Sequence, residues 1–176
     1  MNYFLRALLI IVFVSAISNG CKSDEESLPA PTSEGLNTFG CKIDGKVWIA
    51  NGLSNESGPS AKAIDAELRI IDSKTFYLMI HTSSDSGERV QLTLPKGNTG
   101  SNGLGNLYDK SFGIYYDNQF RIFHSMETNP GKVVITRLDT INQIVSGTFE
   151  FDAEYVIDKK VVKVTEGRFD IDLKTL

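Results

Sequence analysis

Apolar and polar side chains alternate along most of residues 38–176, which is the spacing of β-strands that bury one face. The clearest signal flanks Asp44 and Gly45, because this dipeptide favours a two-residue type I′ turn with positive φ at both positions. Such a turn pairs Cys41 with Trp48 and turns both toward one face. The pattern predicts an all-β fold, either an antiparallel β-sandwich or a closed meander β-barrel of about 8–10 strands.

Two segments of this region carry weaker signals. Residues 62–71 alternate like a strand, but their Ala, Glu, Leu and Arg content also suits a helix, so both alternatives stay open. Residues 97–106 are rich in Gly and Asn and are expected to form a flexible loop. They lack the Gly-Lys-Ser/Thr ending and the following helix of a phosphate-binding loop. No long helix is expected.

The start of the chain has the features of an export signal. An apolar run at residues 7–17 follows Arg6 and is shorter than the roughly 20 residues that a transmembrane helix needs. Cys21 directly follows Gly20, and this arrangement resembles the lipobox of bacterial lipoproteins, although Ser18 stands where that family prefers leucine. In that family the thiol is acylated and the signal is cut just before it. The alternative is an ordinary secretory signal that is cut nearby and gives a soluble protein with two thiols that could pair.

The residues after Cys21 indicate a location and a tether. Residues 22–26 contain three carboxylates and resemble the acidic signal that sends Bacteroidota lipoproteins to the exterior face of the outer membrane. A solvated linker is the alternative. Residues 28–35 are rich in Pro, Ser and Gly, which is typical of a linker. We therefore expect a signal peptide at residues 1–20, a lipid anchor and flexible tether at 21–37, and a single all-β domain at 38–176.

Three stretches of the domain are similar to an uncharacterised family of small Bacteroidota lipoproteins. They are residues 39–48, 144–151 and 164–171. The resemblance implies an all-β domain behind a lipid anchor at the outer membrane. It implies no catalytic residue and no cofactor.

Composition argues against several kinds of function. The formal net charge is -4 at pH 7, without the surplus of Lys and Arg that nucleic-acid binding requires. Two cysteines and two histidines provide few candidate ligands for a zinc site. His81 and His124 lie outside any catalytic motif, and Cys41 is expected to be buried. We therefore assign no catalytic residue, no metal ligand and no cofactor, and expect that the protein is not an enzyme.

Acidic residues with strand spacing support the enzyme alternative. Glu150, Asp152 and Glu154 are two residues apart, so on a strand they share one face. Carboxylates on one face could bind Ca²⁺ or act as the acid pair of a glycosidase. The simpler interpretation is the solvated side of an amphipathic strand. Asp170 and Asp172 have the same spacing and the same interpretation.

An aromatic hairpin at residues 111–125 is the strongest candidate for a binding surface. A two-residue turn at Asp117 and Asn118 would pair Tyr115 with Phe120 and place aromatic rings on both faces. An exposed aromatic face could stack on sugar rings, whereas in the alternative both faces are buried. The candidate ligand-binding residues are Tyr115, Tyr116, Phe120 and Arg121.

Residues 139–141 (Asp-Thr-Ile) resemble the short O-glycosylation signal of exported Bacteroidota proteins, which makes Thr140 a candidate acceptor.

We expect a lipoprotein that the lipid on Cys21 holds in the outer membrane, facing the cell exterior, and whose domain binds a glycan or an envelope protein. The alternatives are a structural or assembly component of the outer membrane and a glycan-acting enzyme.

Overall fold

The computed structural model describes residues 27–52, 62–105 and 110–176. These ranges contain 11 strands and no helix, and therefore no helix that could span a membrane. The strands are β1 Thr38–Ile43, β2 Lys46–Ile49, β3 Ile64–Ile70, β4 Phe76–Ser83, β5 Arg89–Gly97, β6 Gly100–Leu104, β7 Phe112–Tyr116, β8 Ile122–Ser125, β9 Gly131–Asp139, β10 Ile144–Tyr155 and β11 Val161–Asp172.

All 11 strands belong to one antiparallel sheet with the main order β2-β1-β11-β10-β8-β7-β5-β4-β3. The long strand β10 is a branch point, because its first part pairs with β9 and its last part pairs with β8. Strand β9 in turn pairs with β6. The sheet curls as a half-barrel around a single core, which confirms the predicted all-β, antiparallel fold class.

The chain that leaves β2 joins the two sides of the curl. The Gly52 amide donates a hydrogen bond to the carbonyl of Ser83 at 3.0 Å. The Asp85 amide donates to Oδ1 of Asn51 at 3.1 Å. These bonds attach the β2 side of the sheet to the β4–β5 turn, although β2 and β4 are far apart in the strand order.

Aromatic rings dominate one part of the core. Phe39 packs against Phe149 with ring centroids 4.9 Å apart, and it meets Trp48 edge-on at 6.1 Å. Phe169 lies 6.4 Å from Phe149. All four side chains are buried, as the alternation in β1, β2, β10 and β11 requires. Aromatic contacts of this kind add stability beyond the burial of apolar area.

The local turn prediction at Asp44 and Gly45 is confirmed. Both residues have positive φ, at 48° and 82°, and Cys41 pairs with Trp48 across the hairpin. Residues 62–71, for which helix and strand remained open, contain strand β3, which pairs with β4 along its whole length. Pairing with β4 supplies backbone hydrogen bonds that stabilise β3, although the residue composition also suits a helix.

The prediction of a flexible loop at residues 97–106 is wrong, because residues Gly100–Leu104 form strand β6 and pair with β9. The buried carboxamide of Asn102 stabilises the turn into this strand. Its Oδ1 accepts a hydrogen bond from the Asn98 amide at 2.7 Å, and its Nδ2 donates to the Asn98 carbonyl at 2.8 Å. The extra strand raises the number from the expected 8–10 to 11.

The predicted register of the aromatic hairpin is also wrong. Tyr115 pairs with Phe123 rather than with Phe120, and Tyr116 pairs with Ile122. The connection between β7 and β8 therefore spans five residues, 117–121, instead of two. The carboxylate of Asp117 holds this longer turn together, as described below.

Candidate functional site

The four candidate ligand-binding residues do not form one surface. Tyr115 lies on the inner face of β7, where its ring packs against Phe123 at a centroid distance of 5.6 Å. Its hydroxyl donates a hydrogen bond to Oε1 of Glu88 at 2.5 Å. Burial and the Glu88 carboxylate raise the pKa of Tyr115, so this hydroxyl stays protonated. Tyr115 is therefore a core residue and is not accessible to a ligand on the outer face.

Phe120 and Arg121 belong to the five-residue turn. Oδ1 of Asp117 accepts hydrogen bonds from the amides of Gln119 and Arg121 at 2.9 and 3.0 Å. Its Oδ2 forms an ion pair with the Arg121 guanidinium at 2.6 Å. Burial alone would raise the pKa of Asp117, but the hydrogen bonds from Arg121 outweigh it and keep that pKa below its ordinary value. Arg121 is therefore bound to Asp117 within the turn. Phe120 is 72% exposed.

Tyr116 lies on the outer face of the sheet with a group of half-buried and buried side chains that we call the outer platform. Cross-strand pairs place Gln91 beside Ile114 and Thr93 beside Phe112 on this face. The same face continues onto β4, where Met79 pairs with Thr93. The members of the outer platform are Tyr77, Met79, Gln91, Thr93, Phe112, Ile114 and Tyr116.

Polar groups of the outer platform form a short chain of contacts. Nε2 of Gln91 donates a hydrogen bond to Oγ1 of Thr93 at 3.1 Å. The Tyr116 hydroxyl lies 3.5 Å from Oε1 of Gln91, at the limit of a hydrogen bond. Burial raises the pKa of Tyr116, so its hydroxyl remains a donor near neutral pH. The weak contact leaves this donor available to a ligand.

Cationic and imidazole groups surround the outer platform. The Arg69 guanidinium stacks 4.5 Å above the ring of Tyr77. Burial lowers the pKa of His81, and Arg89 lowers it further, while Asp65 opposes both. Strands β5 and β7 separate His81 from His124 in the sheet, so the two imidazoles do not meet in one site.

The three acidic residues of β10 share the outer face as expected, but each has its own partner. Glu150 pairs with Lys132 at 3.0 Å and Glu154 pairs with Lys159 at 2.9 Å. Asp152 accepts a hydrogen bond from the side chain of Asn129 at 2.5 Å. Across the three described ranges, no cluster of three or more His, Cys, Asp or Glu side chains could hold a metal ion.

Asp170 is a buried structural carboxylate that the sequence pattern does not identify. It was expected to be solvated, but its side chain is buried under residues 29–37, which we call the N-terminal strap. Its oxygens accept hydrogen bonds from the Thr32 hydroxyl at 2.7 Å, the Gly35 amide at 2.8 Å and the Glu34 amide at 2.9 Å. The hydroxyl of Ser146 donates a further bond at 2.8 Å. No local signal could reveal this site, because its partners in the N-terminal strap lie more than 130 residues before Asp170 in sequence.

These hydrogen bonds decide the charge of Asp170. Burial by itself would raise the pKa of this carboxyl group, because it disfavours the charged form. The bonds from Thr32, Gly35, Ser146 and Glu34 outweigh burial and lower the pKa to about 2. Asp170 is therefore ionised at neutral pH, and its charge orders the N-terminal strap.

Further contacts hold the rest of the N-terminal strap on the sheet. The carbonyl of Pro29 accepts a hydrogen bond from Arg168 at 3.2 Å, and that of Ser33 accepts one from Arg137. The ring of Pro29 packs directly on Gly40, where an added Cβ would lie 2.6 Å from it. Residues 29–37 were expected to belong to a flexible tether, and the structure attaches them to β1, β9 and β11. Cys21 lies outside the described residues.

Thr140 is exposed in the β9–β10 turn. Asp139 organises this turn, because its carboxylate accepts hydrogen bonds from the Asn142 amide at 2.9 Å and from Arg137 at 2.7 Å. Bonds from Asn142 and Arg137 lower the pKa of Asp139. The Thr140 hydroxyl is therefore presented on an ordered, accessible turn.

The fold and its surfaces define a class of protein: an all-β domain with one curled antiparallel sheet, an N-terminal strap and an aromatic outer face. Residues 37–170 match the family described as a domain of unknown function, DUF6252, and the chain belongs to this family. The match agrees with the resemblance to an uncharacterised family that the sequence suggested. No curated protein and no solved structure matches the chain.

Proposed function

We propose that this protein is a lipoprotein of the cell envelope, acylated at Cys21, whose domain is a non-enzymatic binding module for a glycan. The observation that supports binding is the outer platform, where aromatic rings lie beside an amide and hydroxyls. Sugars combine apolar C–H faces with hydroxyl groups, so they require a surface of this mixed kind. Tyr116 and Gln91 are neighbouring members of the platform whose polar atoms lie 3.5 Å apart.

The first residues of the chain support a position of the domain at the cell envelope. Cys21 after a short apolar run supports acylation, and the carboxylates at residues 22–26 support export to the outer face of the outer membrane. An exterior location would give the outer platform access to polysaccharides. Thr140, on its exposed turn, is the proposed acceptor of an O-linked glycan.

Glycan binding is tested on the acylated chain in detergent, first on a glycan array and then by calorimetric titration of the sugars retained. We expect Tyr116→Ala and Gln91→Ala each to weaken binding at least about tenfold, because each removes a contact to the sugar. Phe120→Ala is the matched control, since Phe120 is an exposed aromatic residue of the same hairpin off the platform. Retention of no glycan, or equal affinities of the Tyr116→Ala and Phe120→Ala chains, would contradict the proposal.

The anchor is tested separately by the mass of the mature protein. We expect a chain that begins at Cys21 and carries acyl groups, and a Cys21→Ala chain that is released from membranes. Membrane binding of Cys21→Ala without any change of mass would exclude acylation at this residue.

A further inference from the structure

Five exposed apolar side chains lie together at one end of the sheet. Among the described residues, nine large apolar side chains are exposed, and five of them lie on the β7–β8 and β10–β11 hairpins. Ile157 and Val156 are 75% and 66% exposed, and Phe120 is 72% exposed. We call the five the apolar tips: Phe120, Ile122, Val156, Ile157 and Val161.

The two hairpins that carry the apolar tips are neighbours. Strand β8 pairs with β10, and the last pair of that ladder joins Phe123 to Tyr155, whose rings are 5.5 Å apart. Ile122 and Val156 each lie one residue beyond this pair. Val161 pairs with Glu154 on the next strand. The five side chains therefore form one patch rather than five isolated positions, and contiguous exposed patches mark interaction surfaces.

Hydrogen bonds hold both turns in the shape that exposes these side chains. Phe120 has a φ of 61°, which a bulky residue rarely adopts, and its amide donates to the carbonyl of Asp117 at 3.0 Å. In the other turn, the amide of Lys159 donates to the carbonyl of Tyr155 at 3.0 Å. The Lys160 amide donates to the carboxylate of Asp158 at 2.9 Å. The exposure is therefore built into the fold.

The charges near the apolar tips are largely balanced within the protein. Asp117 is paired with Arg121, and Glu154 is paired with Lys159. These ion pairs cancel the carboxylate charge that would oppose an anionic lipid surface. A neutral, apolar end with amphipathic lysines beside it suits the boundary between lipid headgroups and acyl chains.

The N-terminal strap leads toward the same end of the sheet. It passes from Asp170, near the far end of β11, to Pro29 over Gly40. The Asp44 turn lies at the same end of the sheet as the apolar tips. Four residues of β-strand, or about 13 Å, separate Gly40 from this turn. The eight residue-to-residue steps from Cys21 to Pro29 can extend up to about 28 Å. The lipid on Cys21 and the apolar tips can therefore reach one membrane.

We propose that the apolar tips insert into the lipid surface that holds the Cys21 anchor and so keep the strands upright on the membrane. This inference rests on the proposed lipid anchor. The partner is the bilayer itself, because the patch is apolar, nearly neutral in charge and within reach of the anchor. In this orientation Tyr116 is the member of the outer platform nearest the lipid, because it pairs with Ile122, and the platform extends from there along β7 toward Phe112.

The test places an environment-sensitive fluorophore at Ile157→Cys in the full acylated chain, reconstituted in phosphatidylethanolamine and phosphatidylglycerol vesicles that contain nitroxide-labelled lipid. Ile141→Cys is the matched control, since Ile141 is an 85% exposed isoleucine in a turn at the opposite end of the sheet. The buried thiol of Cys41 will not react with the label. We expect several-fold stronger quenching at residue 157 than at residue 141. Equal quenching, or none at residue 157, would overturn the proposal.

A second measurement separates this proposal from the anchor. Chains with Cys21→Ala are floated with the same vesicles at high lipid concentration, and we expect Ile157→Asp to lower the floated fraction several-fold while Ile141→Asp does not. If the mature protein carries no acyl mass, the anchor fails but this comparison still tests the apolar tips. Equal flotation of the three chains would reject insertion. Self-association that Ile157→Asp abolishes, without quenching by lipid, would assign the patch to a second copy instead.

Discussion

Phe149 lies directly opposite Gly167 in the β10–β11 ladder, and its ring occupies the space that a side chain at residue 167 would need. A Cβ added to Gly167 would come within 2.5 Å of that ring. The relationship is reciprocal, because Gly147 lies opposite Phe169 and an added Cβ there would come within 2.6 Å of the Phe169 ring. Two Gly-x-Phe sequences thus interlock across the ladder, each phenylalanine covering the other strand's glycine.

We expect Gly167→Ala to lower the free energy of unfolding by about 1–3 kcal/mol, because the methyl group must displace the packed Phe149 ring. Urea denaturation followed by circular dichroism measures the change. Gly103→Ala is the control, since Gly103 also lies in a strand but nothing is within 4 Å of its added Cβ. A loss at Gly103 as large as that at Gly167 would refute the packing explanation.

Asp170→Asn should destabilise the domain by about 2–3 kcal/mol and release the N-terminal strap. The amide keeps the shape of the carboxylate but removes the charge and replaces an acceptor of hydrogen bonds by a donor. Urea denaturation gives the energy, and limited proteolysis between Pro29 and Gly35 reports release of the strap. Asp172→Asn is the matched control, because the Asp172 carboxylate is half-exposed and accepts a bond from the nearby Lys174 amide. Equal protection of the strap in both variants would argue against the role of Asp170.

The free energy of unfolding should depend on pH because Asp170 is protonated at low pH. The folded-state pKa of about 2 lies below the ordinary value of 3.8, so the contribution is complete above about pH 4 and is lost as the pH falls toward 2. The shift corresponds to about 2 kcal/mol. Urea midpoints measured from pH 7 to pH 2 should show this loss in the parent chain and a smaller one in Asp170→Asn. Parallel pH profiles of the two chains would contradict the assignment.

The thiol of Cys41 should be inert in the folded domain. Burial raises the pKa of this thiol and the Glu88 carboxylate raises it further, so the reactive thiolate is scarce at neutral pH. In a Cys21→Ala chain, Cys41 is the only thiol, and we expect alkylation at pH 8 only after addition of denaturant. Rapid alkylation of the native chain would show that the core around Cys41 opens readily.

The features that could be predicted from sequence are those that depend on neighbours along the chain. The Asp44–Gly45 turn is local, because two residues that accept positive φ suffice to define the hairpin. The β7–β8 turn was misread, because the carboxylate of Asp117 stabilises a longer connection with Phe120 in the left-handed region. Strand β6 was missed, since its Gly, Ser and Asn content carries no alternation and its partner β9 is remote in sequence.

For the candidate site, too, the sequence predicts local features but not contacts between distant residues. Alternation alone places Tyr115 and Tyr116 on opposite faces, but only the curl of the sheet buries Tyr115 in the core and leaves Tyr116 half-buried on the other face. Clustering of the apolar tips likewise depends on the pairing of β8 with β10.

The alternation of side chains and the turn residues were sufficient to establish an all-β domain. The apolar run before Cys21 was sufficient to predict an export signal. Both patterns depend on residues that are close together in the chain. The branching of the sheet at β10, the attachment of the N-terminal strap to Asp170 and the patch of apolar tips became visible only in three dimensions. Each of them joins residues that are far apart in the chain, and the free energy of such contacts depends on the packing of the whole sheet rather than on local sequence.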